Sequence, residues 1–160
     1  MPLHHQYRGQ ARTPDGRTVD LPPPITLRIH GPGLPIVVSV SEELEQNLTS
    51  RNATVPPPAQ GLALIDTGAS ATCVDETVAQ QLRVAPIDIA MISSASHTAS
   101  QRPVYPIRLR LLGSNIVVNA SRAIGVPLQT QGFIALLGRD FLERFVLIYN
   151  GPAGEMTLGL

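Results

Sequence analysis

One carboxylate stands out by its position. In LALIDTGASATCV (Leu62 to Val74) an apolar run ends directly in Asp66, followed by Thr67, Gly68 and Ala69. An Asp at the end of a short buried strand can be presented outward where a nearby glycine permits a sharp turn, while backbone N–H groups hold it. The chemistry on offer is general acid–base catalysis, with an ionised carboxylate taking a proton from water. The plainer reading is a strand-ending turn, since Asp and Gly are both turn formers. An acid–base pair also needs a second carboxylate at hydrogen-bonding distance, and the chain has no second Asp-Thr-Gly. Well downstream, LLGRDFL (Leu136 to Leu142) repeats the pattern of an apolar strand meeting a glycine and then a helix. Asp140 there, with Glu143 three residues on, fits a helix-capping pattern. A structural role is therefore predicted for Asp140, not that of the second acid.

The elements that must position these residues are mostly short strands. Gly61–Ile65 reads as a buried strand delivering Asp66. Asp75 is a fitting N-cap, with Glu76 in the first turn and Val74, Val78 and Leu82 spaced by four on one helical face. Ile87–Ile92 and Pro103–Leu112 read as strands flanking the polar tip SSASHTAS (Ser93 to Ser100), and NIVVNASRAIGV as a further strand. Ile25–Gly31 alternates apolar and polar residues, which predicts a half-buried strand forming a hairpin with Pro35–Ser41. Glu42 to Gln60 lacks periodicity and reads as a loop with one helical turn. Phe145–Asn150 and Glu155–Leu160 form a predicted C-terminal hairpin. Residues 1–24 are polar and turn-rich, an arm that is either flexible or an extended edge, and residues 25–160 make one domain. The expected class is mainly β with two short helices.

Composition removes several functions. The 160 residues suit one domain with a real core. Hydrophobic content of 43% and charged content of 15% describe a globular chain, not a disordered one. Twelve basic residues, all Arg, balance twelve acidic ones, which leaves no electrostatic footprint for nucleic acid or an anionic membrane surface. A single cysteine, Cys73, excludes an intrachain disulfide and favours a reducing compartment. The N-terminus lacks the apolar core of a signal peptide and no run approaches the roughly 20 residues of a membrane span, so a cytoplasmic protein is expected. His4, His5, His30 and His97 lack zinc-ligand spacing, so no metal is expected. No phosphate-cradling glycine loop is present. A Cys73–His97 nucleophile pair is imaginable, but a cysteine ahead of a helix reads better as a small buried residue.

Taken together, LALIDTGAS and ALLGRDFL resemble the retropepsin-like aspartic proteases, the family of the retroviral proteases and their cellular and bacterial relatives. The resemblance covers residues 61–160 well and the first sixty poorly. It implies a closed β domain, half of a pepsin-like bilobal fold, that forms a homodimer about a two-fold axis. Each protomer would supply one Asp66. Two carboxylates about 3 Å apart share one proton, so the ionised one activates a water and the protonated one polarises the scissile carbonyl. Thr67 would hydrogen-bond across the axis and Gly68 would leave room for the substrate backbone. Ala69 stands where pepsins usually carry a hydroxyl, which implies a less acidic working pH than pepsin's. The tip residues Ser94, Ala95, Ser96 and His97 correspond to a flap, here without glycine. Gly138, Arg139 and Asp140 correspond to the structural turn. Retroviral members often pair that Arg with an Asp where this chain has Ser70, so the partner of Arg139 is left open. C-terminal strands would join an interface sheet between protomers. The implied partner is a protein or peptide substrate, with no cofactor. The alternative is a dimerisation or peptide-binding module of the same fold with little proteolysis, which an intact Asp-Thr-Gly-Ala disfavours.

Overall fold

Nonpolar residues alternate through GLPIVVSV with Leu34, Ile36, Val38 and Val40 all buried, and this stretch is the backbone of the core. The computed structural model describes residues 2–94 and 97–159. In chain order the strands that open it are β1 (Leu3–Gln6), β2 (Gly9–Arg12) and β3 (Thr18–Leu21), followed by helix α1 (Pro23–His30). Then come β4 (Gly33–Val40), α2 (Glu42–Ser50), β5 (Ala59–Ile65), β6 (Cys73–Asp75) and α3 (Glu76–Gln81). The second half holds β7 (Asp88–Ser94), β8 (His97–Leu111), β9 (Val117–Val126), β10 (Ala135–Leu137), α4 (Arg139–Leu142), β11 (Val146–Asn150) and β12 (Glu155–Gly159). The chain is mainly β, as expected, with four α-helices among the described residues where two were anticipated.

Seven strands form one sheet in the order β4-β5-β10-β6-β9-β8-β7, and β4 pairs again with β8, from Ile36↔Leu111 to Val40↔Ile107. That extra pairing closes the sheet on itself from β4 to β8, which covers the outer edge of β4, leaves β7 as an edge strand and wraps the inward-facing residues into one core. Ile107, Leu109 and Leu111 of β8 meet Ile36, Val38 and Val40 of β4 there, all fully or almost fully buried. Among the described residues only β10 with β5 and β6 with β9 run parallel. A separate sheet, β1-β12-β11, carries both chain ends, with Leu3 opposite Leu158 and Leu158 opposite Leu147. Tyr7 N–H donates to the Gly154 carbonyl at 3.0 Å, and β2 and β3 form a small hairpin of their own.

Ile25–Gly31 is a helix, not the expected strand, so the hairpin with Pro35–Ser41 does not form. The proline triplet decides this. Pro22 precedes the first turn and Pro23 and Pro24 lie within it, where a fixed φ suits the helix and a missing N–H costs nothing. Gly31, at φ 72°, ends it, and only Thr26 and Leu27 are buried. The apparent alternation of Ile25, Leu27 and Ile29 is thus one buried residue between two exposed ones. Glu42–Ser50 is a two-turn helix instead of a loop. Ser41 caps it through a 3.2 Å bond from Leu44 N–H, and Glu42, Glu43 and Glu45 suit the positive end of its dipole. None of its residues is fully buried, and its inner face is marked only by Leu44, packed against the core, and half-buried Leu48 one turn on, too short a stripe to signal it. An ion pair from Arg108 of β8 to Glu45 ties it to the sheet. Helix α3 begins at its Asp75 cap as predicted, and the β7–β8 and β11–β12 hairpins form as predicted.

Candidate active site

Strand β5 buries Ala63 and Ile65 and ends at Asp66, whose N–H donates to the Leu137 carbonyl at the end of β10 (3.0 Å). The chain then turns back on its own carboxylate. Asp66 Oδ1 accepts from Gly68 N–H at 2.9 Å and from Ala69 N–H at 3.3 Å. A Cβ at Gly68 would sit 3.1 Å from that same oxygen, so the seat favours glycine. Among the described residues Asp66 Oδ2 accepts no hydrogen bond, so one oxygen is held and the other is unengaged.

The turn at Gly138–Asp140 clasps the Asp66 loop from behind. Arg139 N–H donates to the Ala69 carbonyl at 3.0 Å and Asp140 N–H to the Ser70 carbonyl at 3.3 Å. The Arg139 guanidinium donates from Nη1 to the carbonyls of Thr67 (2.8 Å) and Gly68 (3.0 Å). That identifies the partner of Arg139, which is loop backbone and not a carboxylate at position 70. Gly138 allows the close approach, since a Cβ there would lie 2.5 Å from the Ala71 carbonyl carbon. Because this contact fixes Gly138 as the residue before the helix, α4 starts at Arg139 and Asp140 falls inside it, not at its cap. Its carboxylate turns to Thr72 instead, accepting from Thr72 N–H and hydroxyl, and also accepts from Phe141 N–H (2.8 Å). With both oxygens engaged, Asp140 is a structural group.

Asp66 opens onto a cavity of about 860 Å³ between this loop and the β7–β8 hairpin. Its apolar walls are Ile92 of β7, Ile124 and Val126 of β9, Leu128 and Leu136, and its polar ones include Ser93, Thr98 and Ser100. Leu136 is the residue of β10 that reaches this wall. Of the four residues expected at a flap, Ser94 and His97 are paired in register through their backbones, while Ala95 and Ser96 lie outside the described residues. Thr67 is exposed, and its hydroxyl makes no hydrogen bond among the described residues. Cys73 also lines the cavity. Burial first, and then the Asp140 and Asp66 carboxylates, push its thiol up to about 11, so it stays protonated at neutral pH and is no nucleophile.

Three positioning groups escaped sequence reading. Thr72 joins the two motifs. Asp75 does more than cap α3: besides Thr77 N–H at 2.9 Å and the Thr77 hydroxyl, it accepts from Leu128 N–H (2.7 Å) and Gln129 N–H (3.1 Å). It thereby fixes the segment that brings Leu128 and Gln131 to the cavity. Burial alone would raise the Asp75 carboxyl, but hydrogen bonds from Thr77, Leu128 and Gln129 outweigh it and hold it below its ordinary value. Arg102 of β8, paired with Glu76 of α3, adds a cation to the cavity. The sequence carried no local signal for these contacts beyond Asp75 as a cap, because every partner is distant in the chain.

A closed β domain with a strand-end Asp-Thr-Gly clasped by a Gly-Arg-Asp turn defines the class. The chain belongs to the family described as "gag-polyprotein putative aspartyl protease", whose model matches residues 59–144, more than half of its length. It is also similar to the crystal structure of a retropepsin-like aspartic protease from Rickettsia conorii. That likeness has 16% identity, covers 99% of this chain and 92% of the other, and has a TM-score of 0.40. No curated protein matches it.

Proposed function

We propose that the protein is an aspartic endopeptidase acting as a homodimer in which each protomer supplies one Asp66. The observation that supports this most is the Asp66 carboxylate itself, with Oδ1 held by two N–H groups and Oδ2 unengaged beside the cavity. No other carboxylate lines that cavity among the described residues, and Asp140 has both oxygens occupied. The second acid then comes from another copy, and a closed two-fold arrangement brings a residue near the axis to its own counterpart. In the pair, the ionised carboxylate takes a proton from water as the water oxygen bonds to the scissile carbonyl carbon. The protonated carboxylate donates a hydrogen bond to the carbonyl oxygen. The proton taken from water then passes to the departing amine nitrogen as the C–N bond breaks.

The test compares wild type with Asp66→Asn on a pool of denatured protein substrates, alongside a solution mass measurement. Cleavage by wild type should fall at least about a hundredfold in the variant, with melting behaviour unchanged. Cleavage that survives Asp66→Asn overturns the assignment. An active enzyme that stays strictly monomeric overturns the shared pair.

A further inference from the structure

Apart from Asp66, Arg102 is the only charged residue lining the cavity among the described residues. It lies on β8 directly opposite Ala90 of β7, whose methyl leaves room beside a long side chain. Its neighbour two residues back on the same strand, Ser100, also lines the cavity, opposite Ile92. The guanidinium has five N–H donors and no acceptor capacity. Glu76 Oε1 takes one of them, from Nη1 at 3.3 Å, longer than a tight charge-assisted bond. Nε is buried and has no acceptor, and it is the only buried side-chain donor or acceptor so placed among the described residues. Both partners of the ion pair remain partly exposed, Arg102 at 34% and Glu76 at 31%.

These observations describe a cation positioned on one side but under-satisfied in a cleft otherwise walled by aliphatic and hydroxyl side chains. We propose that Arg102 is a specificity-determining residue that makes its part of the cavity select a substrate side chain bearing a carboxylate. A carboxylate entering there offers two acceptor oxygens to a planar donor fork, which suits bidentate pairing. An aliphatic side chain would leave the donors unsatisfied and shut away from water, and a lysine would meet like charge. Glu76 competes for the same guanidinium and so sets how strongly the subsite attracts an acid. This inference rests on the peptidase reading for its substrate, although not for its binding chemistry.

The experiment uses a set of otherwise identical peptides carrying Glu, Gln, Leu or Lys in turn at each position. Binding is measured by fluorescence anisotropy to the Asp66→Asn protein, and cleavage by the wild type. At one position Glu should exceed Leu and Lys by roughly tenfold to a hundredfold, a margin that shrinks in high salt. Arg102→Met should abolish the preference while apolar peptides remain bound, and Glu76→Gln should enlarge it. If Arg102→Met does not fold, the Glu76→Gln variant decides by itself, since a merely structural ion pair would not shift selectivity towards acids when broken. Absence of any position favouring Glu, persistence of the preference in Arg102→Met, or a smaller preference in Glu76→Gln overturns the proposal. Glu-selective binding without Asp66-dependent cleavage overturns the peptidase reading and leaves this one standing. Cleavage indifferent to charge does the reverse.

Discussion

Thr72 and Asp140 are joined by two hydrogen bonds, one from the Thr72 N–H to Oδ2 at 2.9 Å and one from its hydroxyl to Oδ1 at 2.8 Å. The Thr72 hydroxyl also accepts from Gly138 N–H at 3.3 Å, so one side chain bridges both motifs of the site. Asp140→Ala strands these donors and should lower unfolding free energy by about 2 kcal/mol, with kcat falling more than KM rises. Urea unfolding of Asp140→Ala, Thr72→Val and the double variant checks it. Strictly additive losses would mean that the two residues do not act as a unit.

Gly138 has no room for a side chain. Its Cβ would stand 2.5 Å and 2.6 Å from the Ala71 carbonyl carbon and oxygen, which are backbone atoms that cannot swing away. Gly138→Ala should cost about 1–3 kcal/mol and pull the Gly-Arg-Asp turn off the Asp66 loop, reducing activity more than stability alone explains. A variant with unchanged melting temperature and unchanged kcat/KM would show that the loops do not approach so closely.

Asp75 makes stability depend on pH. Its carboxyl is held below its ordinary value in the folded state, so the charged form contributes stability at pH above the unfolded value of about 3.9. That contribution is lost as pH falls through the lower, folded value. Asp75→Asn should therefore be less stable than wild type at pH 7, with the gap narrowing on acidification below about pH 4. Thermal melts across that range test it, and a gap that widens in acid contradicts the assignment.

Strand β12 has both edges occupied, by β1 on one side and β11 on the other, so it has no edge left to pair with a partner's strand. Its Met156 and Leu158 are fully buried, and deleting Glu155–Leu160 would dismantle the core before it reported on assembly. The free edges of this sheet are β1 and β11, and on β11 Val146 (62%), Ile148 (56%) and Tyr149 (52%) are exposed with no charge or proline to protect the strand. Ile148→Lys should weaken self-association and remove activity together, with a folded monomer remaining in sedimentation analysis. A fully dimeric Ile148→Lys protein would place the contact elsewhere.

Much of this molecule was legible because its signals are local. Asp66 at the end of an apolar strand, the cap at Asp75 and the strands around the cavity each follow from a few adjacent residues. Two elements were misread for opposite reasons. In Ile25–Gly31 a chance alternation outweighed the prolines that open α1, and in Glu42–Ser50 the apolar face of the helix is only Leu44 and Leu48, too short to announce it.

The sequence by itself determined which carboxylate ends an apolar strand and which glycines permit the turns around it, because backbone conformation and burial pattern are properties of short stretches. Only the tertiary structure decided what surrounds that carboxylate. Arg139 found its acceptors in the Thr67 and Gly68 carbonyls, Asp140 found Thr72, and Arg102 arrived beside the cavity from the far strand of a hairpin. Such contacts depend on strand register and on the closure of β4 onto β8, which is a condition on the whole sheet that no short stretch encodes.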